Sequence, residues 1–285
     1  AGYNINTTPV SVIDGGTVSG IMQGISIINT DGVITKGSSI NVKDVIMNGF
    51  TGTSSNPAIN FHAGVYTFTT AGTTVAEGIT MNIDGVTIDG TGKPSQPSGG
   101  IYLADFSGGS TNVQTITVYN STIQNNANRG FDARGKVNLA LTANTISNNG
   151  HDAWGAGGNY GFSIIAQKEA TVTAYNNFIS LPASSTTEVY GLFTGNGTTN
   201  SITAHDNSIL LNGNANSGSR LASSSAGTGS IDATCNWWGT VVVNDLASMI
   251  SGNVTYTPWL INGTDDQLGT PGFQPVSGAC SGIPI

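Results

Sequence analysis

Residues 115–126 read TITVYNSTIQNN. Ile116 and Val118 alternate with polar neighbours, the two-residue period of a strand with one buried face. Asn120 and Ser121 break that period, Ile123 anchors a second short strand, and Asn125 and Asn126 close the phrase. The same phrase returns along the chain. It is SINVKDVIMNG at 39–49, ITMNIDGVTIDG at 79–90 and NLALTANTISNN at 138–149. It continues as ATVTAYNNFIS at 170–180, SITAHDNSILLNGN at 201–214 and SIDATCNWWGT at 230–240.

Aligning the copies puts Met47, Ile88, Ile123, Ile146, Ile179, Ile209 and Trp238 at one position, 23 to 41 residues apart. Spacing this uneven excludes a strict short-period solenoid. It fits coils of roughly 22–30 residues that carry loop insertions of different lengths. Further short strands lie between the copies, such as GFSIIA at 161–166. Two or three strands per coil, joined by bends, describe a parallel β-helix. The expected fold is therefore all-β, a right-handed parallel β-helix solenoid of roughly ten coils. At about 4.8 Å per coil the body is about 50 Å long. Asn144, Asn177, Asn207 and Asn236 fall where each copy turns. Asn tolerates left-handed backbone angles and bonds nearby backbone, and stacked Asn side chains form ladders. These residues are read as architecture.

Composition narrows the function. Only 8% of residues are charged, against about 25% in ordinary domains. The 40 glycines, with abundant Ser, Thr and Asn, suit turns and strands and disfavour helices. The net charge of −8, with eight Lys and Arg, provides no basic stripe to neutralise phosphates, so nucleic acid is not an expected partner. No apolar run approaches 18 residues, so no membrane insertion is expected. The chain begins at Ala1 without Met, which fits a mature secreted or cell-surface protein. Cys235 and Cys280 have neither zinc-knuckle nor CxxC spacing. They either bridge, closing a loop of about 45 residues, or remain buried thiols; outside the cell the bridge is expected.

Cys235-Asn236-Trp237-Trp238-Gly239 resembles the NWWG motif that ends many bacterial right-handed β-helix repeat proteins. GNVTYTPWL at 252–260 resembles their closing phrase, a strand ending in PWL. The resemblance spans the repeats and extends to about residue 262. It implies a large secreted or surface-attached protein. It carries little about activity, because such folds host pectinases, lyases, epimerases, phage spikes and adhesins.

A solenoid's last coil exposes an open core and unpaired strand edges. Trp237, Trp238 and Trp259 lie where the repeat stops, so they are expected to cap that end; a sugar-stacking platform is the other use for them. The domain reading is one β-helix over residues 1–262, N-terminal cap included, followed by a Gly- and Pro-rich tail over 263–285. Residues 1–9, AGYNINTTP, form a cap or reach a neighbouring subunit as an added strand.

Two catalytic signatures of the fold, His-Gly and Arg-Ile-Lys, are missing from the sequence, and its single Asn-Thr-Asp, at 29–31, has neither beside it. Half of the Lys and Arg residues nevertheless fall within 129–168. Arg129, Arg134, Lys136 and Lys168 are joined there by Asp132, His151, Asp152 and Glu169. Stacked coils can bring such residues to one face, where a cation beside His and a carboxylate would suit polyuronate elimination. Trp154 and Tyr160 are candidates to stack on sugar rings. The competing reading is a solvated set of ion pairs at the bends. No cofactor is expected. No metal site is expected either, because the turn aspartates Asp14, Asp31, Asp44, Asp84 and Asp89 form no EF-hand or RTX repeat, and His62, His151 and His205 lack ligand spacing.

The main expectation is a non-enzymatic extracellular structural or adhesive protein, possible partners being glycans and further copies in a head-to-tail homopolymer. The alternative is a polysaccharide-active enzyme or glycan-binding module using Arg129, Arg134, His151, Asp152, Lys168 and Glu169.

Overall fold

The computed structural model describes residues 3–4, 10–19, 23–28, 39–50, 62–69, 78–91, 98–105, 113–152, 160–227 and 229–283. They form a parallel β-helix, as the repeat predicts. Sheet 1 holds β1 (Tyr3–Asn4), β4 (Gln23–Ile28), β7 (His62–Thr69), β10 (Ser98–Asp105), β13 (Arg129–Gly135), β16 (Tyr160–Gln167), β19 (Glu188–Gly195), β22 (Arg220–Ser224) and β24 (Ile250–Ser251). Sheet 2 holds β2 (Val10–Asp14), β5 (Ser39–Lys43), β8 (Thr80–Asp84), β11 (Gln114–Tyr119), β14 (Val137–Thr142), β17 (Thr171–Tyr175), β20 (Ser201–His205), β23 (Ser230–Asp232) and β25 (Val254–Thr255). Sheet 3 holds β3 (Thr17–Ser19), β6 (Ile46–Asn48), β9 (Thr87–Asp89), β12 (Thr122–Gln124), β15 (Thr145–Ser147), β18 (Phe178–Ser180) and β21 (Ser208–Leu210). One helix, α1 (Val243–Met249), buries Leu246. No helix among the described residues is long and apolar enough to cross a membrane.

The register puts like side chains in files. In sheet 3, Val18, Met47, Ile88, Ile123, Ile146, Ile179 and Ile209 pair in that order. From Met47 onward every member is buried, and Trp238 continues the file beyond Ile209. Sheet 2 contributes Ile40, Met81, Ile116, Leu139, Val172, Ile202 and Ile231. Sheet 1 contributes Ile25, Val65, Ile101, Phe131, Ile164, Leu192 and Ala222. These files make one continuous core, each full burial of an aliphatic side chain being worth roughly 1.5–3 kcal/mol.

The bend from sheet 2 to sheet 3 differs from the sequence reading by one residue. Asp44, Asn120, Ala143, Asn176, Asp206 and Cys235 take the left-handed backbone, with φ between 48° and 58°. The residue after each points inward. Asn144, Asn177, Asn207 and Asn236 there form a buried ladder, with Nδ2 of one donating to Oδ1 of the next at 2.8–3.0 Å. Their conserved geometry is thus amide stacking, and the turn itself is made one position earlier. A second buried step, Asn126 Nδ2 to Asn149 Oδ1 at 2.9 Å, follows sheet 3.

The segment after residue 262 is not an extended tail. β26 (Trp259–Leu260) pairs antiparallel with β27 (Cys280–Gly282), and Cys235 is bridged to Cys280. Phe273 is fully buried, 5.6 Å edge-on to Phe178. It exchanges hydrogen bonds with Asn176: Phe273 N donates to Asn176 O, and Asn176 Nδ2 donates to Phe273 O. One well-placed phenylalanine and a disulfide are enough to dock a stretch that lacks any hydrophobic period. The tryptophans divide accordingly. Trp238 and Trp259 are buried in the main core, whereas Trp237 packs outside it with Leu260, Phe273 and Ala279.

Candidate functional site

The outer face of sheet 1 carries the densest chemistry of the described residues. Alternation along β13 turns Phe131 and Ala133 inward and Asp132 and Arg134 outward. Alternation alone would set Arg129 opposite Asp132, but the phase breaks at Gly130. A Cβ on Gly130 would lie 2.6 Å from Ser163 O, so only glycine lets the coils close up there. The break brings Arg129 onto the same face as Asp132.

Asp132 is the centre of the resulting cluster. Arg129 Nη1 donates to Asp132 Oδ2. Arg134 donates from Nε to Oδ1 at 2.9 Å and from Nη2 to Oδ2 at 2.8 Å, a two-pronged clamp. Burial of Asp132 opposes its charge, but the two guanidiniums outweigh burial and hold the carboxyl below its usual range. Both carboxylate oxygens are engaged, so Asp132 is no free general base. Two cations against one anion leave the cluster net positive.

Aromatic rings flank it on neighbouring coils. Tyr66 and Tyr102 stack at 5.1 Å, and Arg134 lies 5.2 Å over the Tyr102 ring. On the other side Arg129 lies 5.7 Å from the Phe162 ring. Phe162 meets Phe193 at 4.9 Å and Tyr190 at 5.8 Å, and Tyr190 meets Tyr160 at 5.7 Å. Tyr66 and Tyr102 are buried, whereas Tyr160 is 46% exposed and Tyr190 and Phe193 are half-buried. Burial, and a hydrogen bond given to Glu188, keep the Tyr190 phenol protonated well above its ordinary range.

The other sequence candidates do not join this cluster. His151 and Asp152 sit at the bend before β16, where Asp152 N donates to Ala127 O and His151 Nδ1 lies 3.2 Å from Asn148 O. Lys168 and Glu169 sit at the bend after β16, with Lys168 in the left-handed region at φ 62°. At about 3.3 Å per residue, the eight residues of β16 hold the two pairs roughly 23 Å apart. Lys136 lies at the bend after β13. Trp154 lies outside the described residues. No group of three or more His, Cys, Asp or Glu side chains able to hold a metal occurs among the described residues.

Sequence reasoning missed Tyr66, Tyr102, Phe162, Tyr190 and Phe193. For Tyr66, Tyr102 and Phe193 the signal is a second repeat, GVYTF at 64–68, GIYLA at 100–104, GFDAR at 130–134 and GLFTG at 191–195. The residue two places after each glycine points outward on sheet 1, as the pairing of Tyr66, Tyr102 and Asp132 requires. The chain matches no family model, no curated protein and no solved structure.

Proposed function

We propose that this chain is a non-enzymatic extracellular structural or adhesive protein, of the bacterial β-helix repeat type, whose outer sheet 1 face contacts glycans. The observation that carries the reading is the row of rings and guanidiniums to which β7, β10, β13, β16 and β19 each contribute. Aromatic faces stack on the apolar faces of sugars, and a guanidinium bonds ring oxygens or carboxylates. Tyr160 and Tyr190 offer the accessible part of that row. The low charge and the Cys235–Cys280 bridge support a location outside the cell. Engagement of both Asp132 oxygens, and the separation of the bend residues, favour binding over turnover.

The test is affinity electrophoresis through gels holding neutral or acidic polysaccharides, beside an ultraviolet assay for unsaturated sugars. Retardation by at least one polysaccharide, weakened several-fold by Tyr160→Ala or Tyr190→Ala, is the expected result. A steady ultraviolet signal abolished by Arg134→Ala would replace the binding reading with a lyase.

A further inference from the structure

We propose that residues 279–282, locked by the disulfide, guard the last corner rung at the C-terminal end of the coil stack, and that the edge they cover takes the N-terminal corner of a second copy of this chain.

The guard ends the parallel pairing. The last corner rung runs through Pro258, Trp259 and Leu260. It adds to the stack in parallel: Cys235 N donates to Pro258 O at 2.7 Å, and Leu260 N donates to Asn236 O at 3.0 Å. On the far edge of that rung lies β27, running the opposite way, with Ile261 N donating to Ala279 O at 2.9 Å. An exposed strand edge is a template for another strand, and covering it is one way proteins prevent edge-to-edge growth. Here the cover is fixed at two further points. Cys280 is bonded to Cys235 of the preceding rung, and Phe273 is buried against Phe178.

The occupant follows from continuity of the stack. Every strand from β2 to β25 in sheet 2 runs the same way, so a rung added beyond Leu260 in the stack's own sense must be parallel. The opposite end of the molecule presents such a rung at the same corner, Asp14-Gly15-Gly16-Thr17, between β2 and β3. Both glycines have positive φ, and a Cβ on either would meet nothing within 4 Å among the described residues. Among the described residues that corner is open. Val18, first of the sheet 3 file, is only half-buried and packs against the core. A second copy seated by this corner would extend all three elements of the stack, which no unrelated strand would do. The contact is heterologous and does not close, so its product is a linear polymer. It is independent of glycan binding.

Sedimentation of three forms of the chain tests the proposal. The intact oxidised chain should stay monomeric at all concentrations. A chain ended after Ile261, with Cys235→Ser, should keep its far-ultraviolet β signal and form concentration-dependent polymers. Adding Val18→Lys to that shortened chain places a charge at the docking end and should return it to monomer. If the shortened chain loses its fold, the full-length Phe273→Ala, Cys280→Ser variant is used, in which the guard is present but undocked. Polymers of that variant, reversed by Val18→Lys, support the proposal. A folded shortened chain that stays monomeric overturns it. So do polymers of the intact chain, polymers indifferent to Val18→Lys, and loss of fold in both release variants.

Discussion

Asn177 donates both its backbone N–H and its side-chain Nδ2 to one oxygen, Oδ1 of Asn207, at 2.8 Å each. Asn207 repeats the arrangement toward Asn236 and also gives Nδ2 to the carbonyls of Ala174 and His205. Each rung thus satisfies groups on the coils before and after it, in a place water does not reach.

Asn207→Ala should therefore cost more than one hydrogen bond. It strands two buried donors of Asn177 and takes an amide donor from the carbonyls of Ala174 and His205, whereas Oδ1 of Asn236 keeps the backbone N–H at position 207. At about 1–3 kcal/mol per group left unpaired, a loss of roughly 3–5 kcal/mol in urea unfolding is expected. Asn148→Gly is the control. Its Nδ2 bonds Asn125 Oδ1 in the open, and glycine retains its left-handed backbone at φ 52°. A change within about 0.5 kcal/mol is expected there. Equal losses at the two sites would mean that the ladder contributes nothing special.

The sheet 1 ion cluster makes a prediction with the opposite sign for two kinds of change. Asp132→Asn removes the anion between two guanidiniums and should destabilise by about 3–5 kcal/mol. Replacing all three charges together, as Arg129→Met, Asp132→Leu and Arg134→Met, should be neutral or stabilising by roughly 1–4 kcal/mol, because no ion is left to desolvate. The pH dependence follows from the same geometry. The folded carboxyl titrates below its unfolded value of about 3.9, so its contribution is complete above that pH and is lost as pH falls through the folded value. Acid unfolding of the triple variant should be shifted to lower pH than that of the wild type.

What could be read in the sequence was whatever repeated with a two-residue period. Ile123, Ile146, Ile179 and Ile209 keep the same phase in every copy, and they lie in one buried file. The bend was misplaced by one residue because Asn176-Asn177 and Asp206-Asn207 each offer two residues that tolerate positive φ. At Ala143-Asn144 and Cys235-Asn236 the asparagine is the better candidate for that backbone, yet Ala143 and Cys235 make the turn; Asp44-Val45, Gly85-Val86 and Asn120-Ser121 are the copies that mark the first position. The ion cluster was half legible. Arg129, Asp132 and Arg134 were grouped by charge, but period-2 reasoning cannot bring residues three apart together without the break at Gly130. The C-terminal segment was legible only at Cys280, expected to bridge to Cys235; its further docking depends on Phe273, a single residue with no periodicity around it.

The adjacent tryptophans should behave differently. Trp238 ends the interior file of sheet 3 and is fully buried, so Trp238→Ala should cost about 3–5 kcal/mol. Trp237 faces the docked segment instead, and its contribution is shared with Phe273. In a double-mutant cycle, Trp237→Ala and Phe273→Ala should couple by about 0.5–3 kcal/mol. Trp238→Ala and Phe273→Ala belong to different clusters and should be additive within about 0.5 kcal/mol. Coupling of the second pair would show that the two cores are one.

The bridge between Cys235 and Cys280 supplies the last prediction. It closes a span of 45 residues that includes α1, β24, β25 and β26. Loop-closure entropy assigns such a cross-link about 4 kcal/mol, through the unfolded chain. That full amount appears only if the C-terminal segment unfolds together with the coils. The segment's own anchors are few: Phe273 in a small cluster with Phe178 and Trp237, three hydrogen bonds with Asn176, and the short β26–β27 pair. Without the bridge these should open well below the global transition, because the Asn ladder and the core files pass beneath them without interruption. Under reducing conditions, amide exchange should therefore quicken first in residues 262–283, while Ile146, Ile179 and Ile209 stay protected. The thermal midpoint of the coil body should then fall by less than the 4 kcal/mol estimate implies. Simultaneous loss of protection in both regions would show that the docked segment and the coils form one cooperative unit.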